Sequence, residues 1–305
     1  MSPTVSRPRV RSRVVLLAWL VPLVVVVVVA AVIGARLLRT TTGFLDFEAT
    51  YPGTAPLWAG TPAGIPAWLA WQHGLNALFM LLIFRSVWII RTSRKPTGWW
   101  TPRGRRRGGG LRLAVPTWFH LSADILWLAN GLVFYVLLFS TGQWKRLVPA
   151  DWTILPRAVT TAVQYVSFDW PHDDGWIDYN ALQSLTYFGI VFLAAPVAIL
   201  TGLRLSPLVA GRRPRLERLL PLGVARRAHI VTMIVFLAFV VVHVVLVLGT
   251  GALRNLNHMY AGRDDEGWIG VIVFAATSAV LMAAWVLLRP TVVRLLAGLT
   301  GDVRR

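Results

Sequence analysis

The sequence predicts an all-α integral membrane protein with six transmembrane helices. Hydrophobic residues make up 56% of the 305 residues and charged residues only 14%, and the mean hydropathy is +0.60, which is outside the range of soluble globular proteins. Several apolar runs reach about 20 residues, the length that crosses about 30 Å of hydrocarbon. The segments between these runs alternate between basic and acidic, as expected for a chain that crosses a bilayer repeatedly.

Six apolar spans follow one another along the chain. The first consists almost entirely of Val, Leu and Ala, and its length and lack of a small-residue cleavage site favour a membrane helix over a signal peptide. Histidines occur in the second, third and fifth spans, and the sixth has none. No Gly or Pro interruption marks an unwound site, so we expect continuous helices. The spans lie at about 14–33, 65–90, 115–139, 179–203, 228–248 and 268–288.

The charges of the loops predict the topology. The N-terminal tail, 91–113, 204–227 and the C-terminal tail together hold 23 basic residues, whereas the other loops hold seven basic and ten acidic residues. Because Lys and Arg accumulate on the cytoplasmic side, we predict a multi-pass protein of the cell membrane with both termini in the cytoplasm. Basic runs beside spans also contact anionic lipid, so the net charge of +18 does not indicate nucleic-acid binding.

Four histidines lie inside the spans. The chain has no cysteine, which excludes disulfides, thiolate zinc sites and iron–sulfur clusters within it. His229 and His243 share the fifth span, where fourteen residues return to within about 40° of one helix face and advance roughly 21 Å along the axis. The predicted topology places His73 at the depth of His243, near the outer surface. It places His120 at the depth of His229, near the cytoplasm.

Two imidazoles at one depth on facing helices suit the axial ligation of a low-spin haem. We therefore predict two haem groups, one held by His73 with His243 and the other by His120 with His229. A zinc site, a structural membrane anchor and a His-dependent transporter or ion conductor without haem are the alternatives. A transporter would favour broken helices and more intramembrane acids than Asp124, and a single His can simply hydrogen-bond to a neighbouring helix.

The same segments resemble a known family. Its members are the di-haem cytochrome b subunits of bacterial membrane oxidoreductases, of the cytochrome b561 and nickel-hydrogenase or formate-dehydrogenase type. The resemblance covers roughly 65–250 and rests on Trp71-Gln-His73, Phe119-His120, Tyr179-Asn-Ala-Leu-Gln183 with Tyr187, and Arg227-Ala-His229 continuing to His243.

The resemblance implies b-type haem, a four-helix core and electron exchange with a quinone pool and a partner redox subunit. One branch of the family that the chain resembles is associated with molybdopterin oxidoreductases. The extra leading helix inverts the core relative to family members whose first core helix begins in the cytoplasm, which bears on the side at which a partner docks.

Three parts of the chain follow from this interpretation. Residues 1–64 form a basic cytoplasmic tail, the first transmembrane helix and an outer loop. Residues 65–250 form the four-helix di-haem core, and 251–305 form an outer loop, the sixth helix and a cytoplasmic tail. Since the chain has no nucleophile–base pair, flavin motif or nucleotide motif, we expect a non-catalytic electron-transfer subunit of an oxidoreductase complex.

Three arginines near the predicted haem ligands have two interpretations each. Arg226 and Arg227 precede His229, where they could pair with haem propionates or anchor the helix at the cytoplasmic surface. Arg85 lies near the cytoplasmic end of the second span, where snorkelling explains it most simply and propionate pairing is the alternative.

The remaining polar residues of the spans are also open to two interpretations. Asp124, one turn after His120, is expected to pair with an arginine or to handle protons at a quinone site. The group Tyr179, Asn180 and Gln183 could bond the outer haem or a quinone, or could cap and anchor the helix.

Two further histidines are expected in outer loops. His172 lies in an acidic, Trp-containing loop, and His258 follows the fifth span. His258 could replace His243 as a ligand only if the fifth helix ran beyond its predicted end.

Overall fold

A computed structural model describes residues 9–103, 111–171, 175–209 and 214–304. The basic run at 105–107 and the loop residue His172 lie outside the described residues. The α-helices of the described part are α1 (Arg9–Leu38), α2 (Thr42–Thr50), α3 (Ala67–Thr92), α4 (Val115–Ser140), α5 (Ile154–Val166), α6 (Ala181–Phe188), α7 (Ala195–Leu205), α8 (Pro214–Leu219), α9 (Leu222–Gly249), α10 (Ala252–Leu256), α11 (Ile269–Leu287) and α12 (Pro290–Thr300). The strands are β1 (Trp99–Pro102), β2 (Leu113–Ala114) and β3 (Gly301–Arg304).

Six helices in the described part are long and apolar enough to cross a membrane, which confirms the predicted fold class. Two bounds differ from the prediction. The first span runs on to Leu38, and the fifth helix begins at Leu222. Arg226 and Arg227 therefore lie inside the fifth helix, in its second turn, and not in the loop before it. The spans are Ala18–Leu38, Ala67–Thr92, Val115–Ser140, Ala181–Leu205, Leu222–Gly249 and Ile269–Leu287.

The fourth span contains a short π-helical segment. α6 passes into a π-helix at Gly189–Ala194, which continues as α7. Pro196, in the first turn of α7, has no N–H to donate, and its ring crowds the carbonyl four residues before it. A single widened turn accommodates this without unwinding the span.

The chain divides into two compact units, and the first is formed within Met1–Trp58, Val148–Asp174 and Asp178–Thr186. Its buried core joins Ile154 and Ala158 of α5 to Ala181 at the start of α6. The Nε atom of Arg36 donates to the Ser167 carbonyl at 2.9 Å, which ties α1 to the end of α5. The short helices α2 and α5 were not predicted, because each is shorter than a membrane span.

The second unit comprises Ala59–Leu147, Gly175–Ile177 and Tyr187–Arg305. In it α3 packs along α4, and α7 packs along α9. At one end, a buried cluster is formed by Ile89, Val115, Phe119, Val293 and Ala297. The strands beside this cluster form an antiparallel sheet in the order β2-β1-β3. The sheet was not predicted, since its strands have at most four residues and pair across 200 residues of sequence.

Candidate functional site

The rings of His73 and His243 lie together in the second unit. His73 is on α3 and His243 on α9, and their ring centroids are 6.2 Å apart with planes at 59°. Aromatic side chains enclose the pair. Phe239 stacks on His243 at 5.4 Å, Tyr187 meets His243 edge-on at 6.1 Å, and Tyr260 meets His73 edge-on at 5.9 Å.

The rings of His120 and His229 form a second pair. His120 is on α4 and His229 on α9, with centroids 6.4 Å apart and planes at 84°. Each ring also meets a buried hydroxyl group. Ser86 Oγ lies 2.7 Å from His120 Nδ1, and Thr201 Oγ1 lies 3.0 Å from His229 Nδ1.

α9 sets the spacing between the two pairs. It runs without a break from Leu222 to Gly249, so His229 and His243 are roughly 21 Å apart along the helix axis. The structure therefore brings together the two pairs of histidines that the depths in the sequence indicated.

The spacing within each pair fits a metal-centred group. An imidazole nitrogen bonds a metal at about 2.0 Å, and the ring centre lies about one ångström behind the nitrogen, so two axial imidazoles have ring centres roughly 6 Å apart. The observed distances are 6.2 and 6.4 Å. Among the described residues, the buried Nδ1 atom of His73 has no hydrogen-bond partner. The polar ring of His243 lies beside this unpaired nitrogen. Packing the two rings together without a metal-centred group between them would be unfavourable.

A cavity beside the His120–His229 pair fits a flat, largely apolar molecule. Apolar side chains from α3, α4, α7 and α9 form most of its wall, and the two histidines and Asp124 are its polar side chains together with Arg91 and Ser206. The residues that line the cavity at the level of the pair include Met80, Phe84, Leu128, Gly202, Met233 and Phe236. The residues present therefore suit haem, whose edge and faces need apolar contacts.

Asp124 lies beside this pair. Its Oδ2 atom is 3.6 Å from His120 Nε2, too far for a hydrogen bond. Asp124 and Arg91 of α3 both line the cavity. Arg226 and Arg227 have exposed side chains in α9, and they are not among the residues that line the cavity.

Arg85 contacts the end of the sixth span. Its Nε atom donates to the Leu288 carbonyl at 3.2 Å, and its guanidinium group lies 5.1 Å from the centre of the Trp285 ring. A cation at the C-terminal end of a helix stabilises the carbonyl groups that have no partner within the helix. In this structure Arg85 caps α11.

The Tyr-Asn-x-x-Gln motif caps a helix in the first unit. The Gln183 N–H donates to Asn180 Oδ1 at 2.8 Å, and the Asn180 N–H donates to Gln183 Oε1 at 3.3 Å. This reciprocal pair is a capping box at the start of α6. Asn180 Nδ2 also donates to the Tyr165 hydroxyl at 2.9 Å. These contacts match the interpretation of the motif as a helix cap.

His258 is buried, although the sequence indicated an ordinary loop position. α9 ends at Gly249, and His258 lies in the π-helix Asn257–Ala261 with only 4% of its surface exposed. Its Nε2 atom is 2.7 Å from Asp264 Oδ1. Hydrogen bonds from Arg254 and His258 hold the pKa of the Asp264 carboxyl below its usual range. The acids at 264–266 that follow His258 were the signal for this pairing.

Ser86 and Thr201 are the site residues that the sequence analysis missed. Both are small polar residues inside apolar spans and both are almost fully buried. Their positions near the predicted cytoplasmic ends of the second and fourth spans, at the predicted depth of His120 and His229, were the available signal.

Comparison with known proteins agrees with this geometry. The profile of prokaryotic cytochrome b561 matches residues 64–262, well over half of the chain, and includes all four paired histidines. No curated protein and no solved structure matches the chain. Together with the six membrane-spanning helices, the match identifies the chain as a member of the prokaryotic cytochrome b561 family, a multi-pass membrane b-type cytochrome that binds haem b and transfers electrons to or from a redox partner.

Proposed function

We propose that this cytochrome holds two haems b and conducts electrons across the bilayer. His73 and His243 hold one haem, and His120 and His229 hold the other. The observation that carries the proposal is the two imidazole contacts, at 6.2 and 6.4 Å, to which the uninterrupted helix α9 contributes His243 and His229. Their separation of roughly 21 Å along α9 is most of the thickness of the hydrocarbon layer.

The side chains around each pair have distinct tasks. Haem held between two imidazoles supplies a one-electron iron couple in a low-spin site. The histidines fix its position, and Phe239, Tyr187 and Tyr260 exclude water from the His73–His243 pair. We assign the exposed Arg226 and Arg227, within one turn of His229, to the propionates of the second haem because a guanidinium group pairs with two carboxylate oxygens at once.

The proposed orientation places both termini in the cytoplasm. The segments that would face the cytoplasm hold 23 basic residues, against seven in those that would face outwards, in keeping with the accumulation of Lys and Arg on the inner side. In this orientation the His120–His229 pair lies near the cytoplasm and the His73–His243 pair near the outer surface.

We further propose that the electrons pass between the quinone pool and a partner oxidoreductase subunit. Asp124 supports a quinone site because it is a carboxylate in the wall of an apolar cavity next to His120, where it can bind a proton that accompanies an electron. For the partner we propose a molybdopterin-dependent oxidoreductase subunit, on the basis of the family resemblance. The chain itself is then the electron-transfer subunit of that complex.

A haem count with single-histidine variants tests this proposal. A pyridine haemochrome assay on the purified protein should give two haems b per chain. His73→Ala and His243→Ala should each remove the same haem from the reduced spectrum, and His120→Ala and His229→Ala should each remove the other, because every variant deletes one of two axial ligands. The double variant His73→Ala/His243→Ala should lose no more than either single variant, since both act on one site.

His258→Ala is the matched control for the outer pair. His258 is the other buried histidine in this part of the second unit, but it pairs with Asp264, so its removal should leave both haems in place. A yield of one haem or none in the unmodified protein would refute the pairing. So would loss of a haem in His258→Ala but not in His243→Ala.

A further inference from the structure

The hydroxyl proton of Ser86 is already used in a hydrogen bond within its own helix. The side chain is fully buried, and its Oγ atom donates to the Ile83 carbonyl at 2.6 Å in its own helix. The same oxygen lies 2.7 Å from Nδ1 of His120 on α4. A hydroxyl group has one proton and two acceptor sites. Towards the histidine, Ser86 can therefore only accept, and His120 Nδ1 must carry the proton.

Thr201 repeats this arrangement on another helix. Its Oγ1 atom donates to the Val197 carbonyl at 2.6 Å and lies 3.0 Å from Nδ1 of His229. The side chain is 3% exposed. As at Ser86, this hydroxyl can therefore only accept from the histidine, and His229 Nδ1 carries the proton.

The two hydroxyls therefore select one tautomer in both rings of the pair. In a neutral imidazole, a proton on Nδ1 leaves the lone pair on Nε2. Neither ring can turn its Nδ1 atom towards a metal without breaking its bond to Ser86 or Thr201. The outer pair lacks this support, because His73 Nδ1 has no hydrogen-bond partner among the described residues.

We propose that Ser86 and Thr201 are positioning residues that orient His120 and His229 through Nδ1 and lower the reduction potential of the haem between them. The proposal rests on the ligand assignment under Proposed function. A ligand histidine whose Nδ1–H is accepted by an oxygen is more basic. A more basic axial ligand stabilises the oxidised, more positive iron and so lowers the potential.

Redox titration of the reduced α-band, with electron paramagnetic resonance of the oxidised protein, tests the proposal. The variants are Ser86→Ala and the nearly isosteric Thr201→Val. Each should retain two haems and shift one of the two potentials to a more positive value, leaving the other unchanged. Both should alter the resonance signal of the same low-spin haem. Ser86→Thr, which keeps the hydroxyl, should restore the original potential.

Thr232→Val is the matched control. Thr232 is buried in the same helix as His229 and donates to the Ala228 carbonyl at 2.9 Å, so it shares the chemistry of Thr201 without the contact to a histidine. Its removal should move neither potential. Equal shifts of both haems, no shift in Ser86→Ala and Thr201→Val, or an equal shift in Thr232→Val would each overturn the proposal. If His120→Ala and His229→Ala leave both haems in place, the ligand assignment itself fails. If they remove one haem and Ser86→Ala has no effect, only the role of the hydroxyls fails.

Discussion

Gly270 is a position where one added methyl group should be strongly destabilising. It lies at the start of α11, against the backbone between α10 and the π-helix Asn257–Ala261. A Cβ atom at Gly270 would be 2.4 Å from the Asn257 nitrogen and 2.4 Å from the Leu256 carbonyl carbon. The Gly270 N–H also donates to Asn257 Oδ1 at 2.6 Å. We therefore expect Gly270→Ala to push α11 away from this turn.

The size of the effect follows from these distances. Ordinary van der Waals contact begins at 3.4 Å, so the helix or the turn must move by about 1 Å in a well-packed region. Such overpacking typically costs about 1–3 kcal/mol, and a lost hydrogen bond adds about 0.5–1.5 kcal/mol. For a protein of this size the sum lowers the midpoint of thermal unfolding by several degrees. Because Tyr260 lies in the same turn, edge-on to His73, the spectrum of the outer haem should change as well.

Thermal unfolding in detergent, followed by intrinsic fluorescence and by haem absorbance, measures both effects. Gly131→Ala in α4 is the control, since a Cβ there meets nothing within 4 Å. In a helix interior that replacement should raise stability by about 0.5–1 kcal/mol. An unfolding midpoint of Gly270→Ala equal to that of the unmodified protein would refute the argument from close backbone approach.

Two further predictions concern the ends of the spans. A C-terminal fluorescent fusion should be bright and a C-terminal phosphatase fusion inactive if that end lies in the cytoplasm, as we propose from the basic segments. Strong phosphatase activity would reverse the proposed orientation and the sides of both proposed haems. The pKa of Asp264 is lowered by the hydrogen bonds from Arg254 and His258, so its contribution to stability is present above the unfolded pKa of about 3.9 and is lost as the pH falls through the folded value. The protection of amides 252–264 from hydrogen exchange, relative to their intrinsic rates, should therefore fall below about pH 4. Asp264→Asn should show weak protection at every pH, and unchanged protection at pH 3 would contradict this.

The sequence predicts the membrane-spanning part of this fold well, because a span is a local property of about 20 residues. The sequence also allowed us to predict that His73 lies beside His243 and His120 beside His229, because topology and helix rise determine the depth of each residue. Their role as ligands, and that of Arg226 and Arg227, stays a prediction.

Contacts between distant segments could not be obtained in this way. β1 pairs with β3 across 200 residues, and nothing in their few residues of sequence marks them as strands. The burial of His258 depends on a turn that holds it against Trp176 and Asp264, a packing that a loop sequence does not specify. Ser86 and Thr201 donate to their own helices like many buried hydroxyls, and only the structure shows which of them also faces a histidine.

The π-helix at Gly189–Ala194 has a consequence for how insertions and deletions act on this protein. It separates Tyr187, which meets His243, from Thr201, which meets His229. A π-turn holds one residue more than an α-turn. Deleting one residue there would restore α-helix and leave the helices on both sides in nearly the same rotational phase, because the π-turn and the α-turn each close about one turn.

Tyr187 and Thr201 would then both keep their places beside His243 and His229. A one-residue deletion in α7 between the π-helix and Thr201 would instead rotate Thr201 by roughly 100° and turn it away from His229. The π-helix is thus the part of the fourth span where a change of one residue in length should be tolerated.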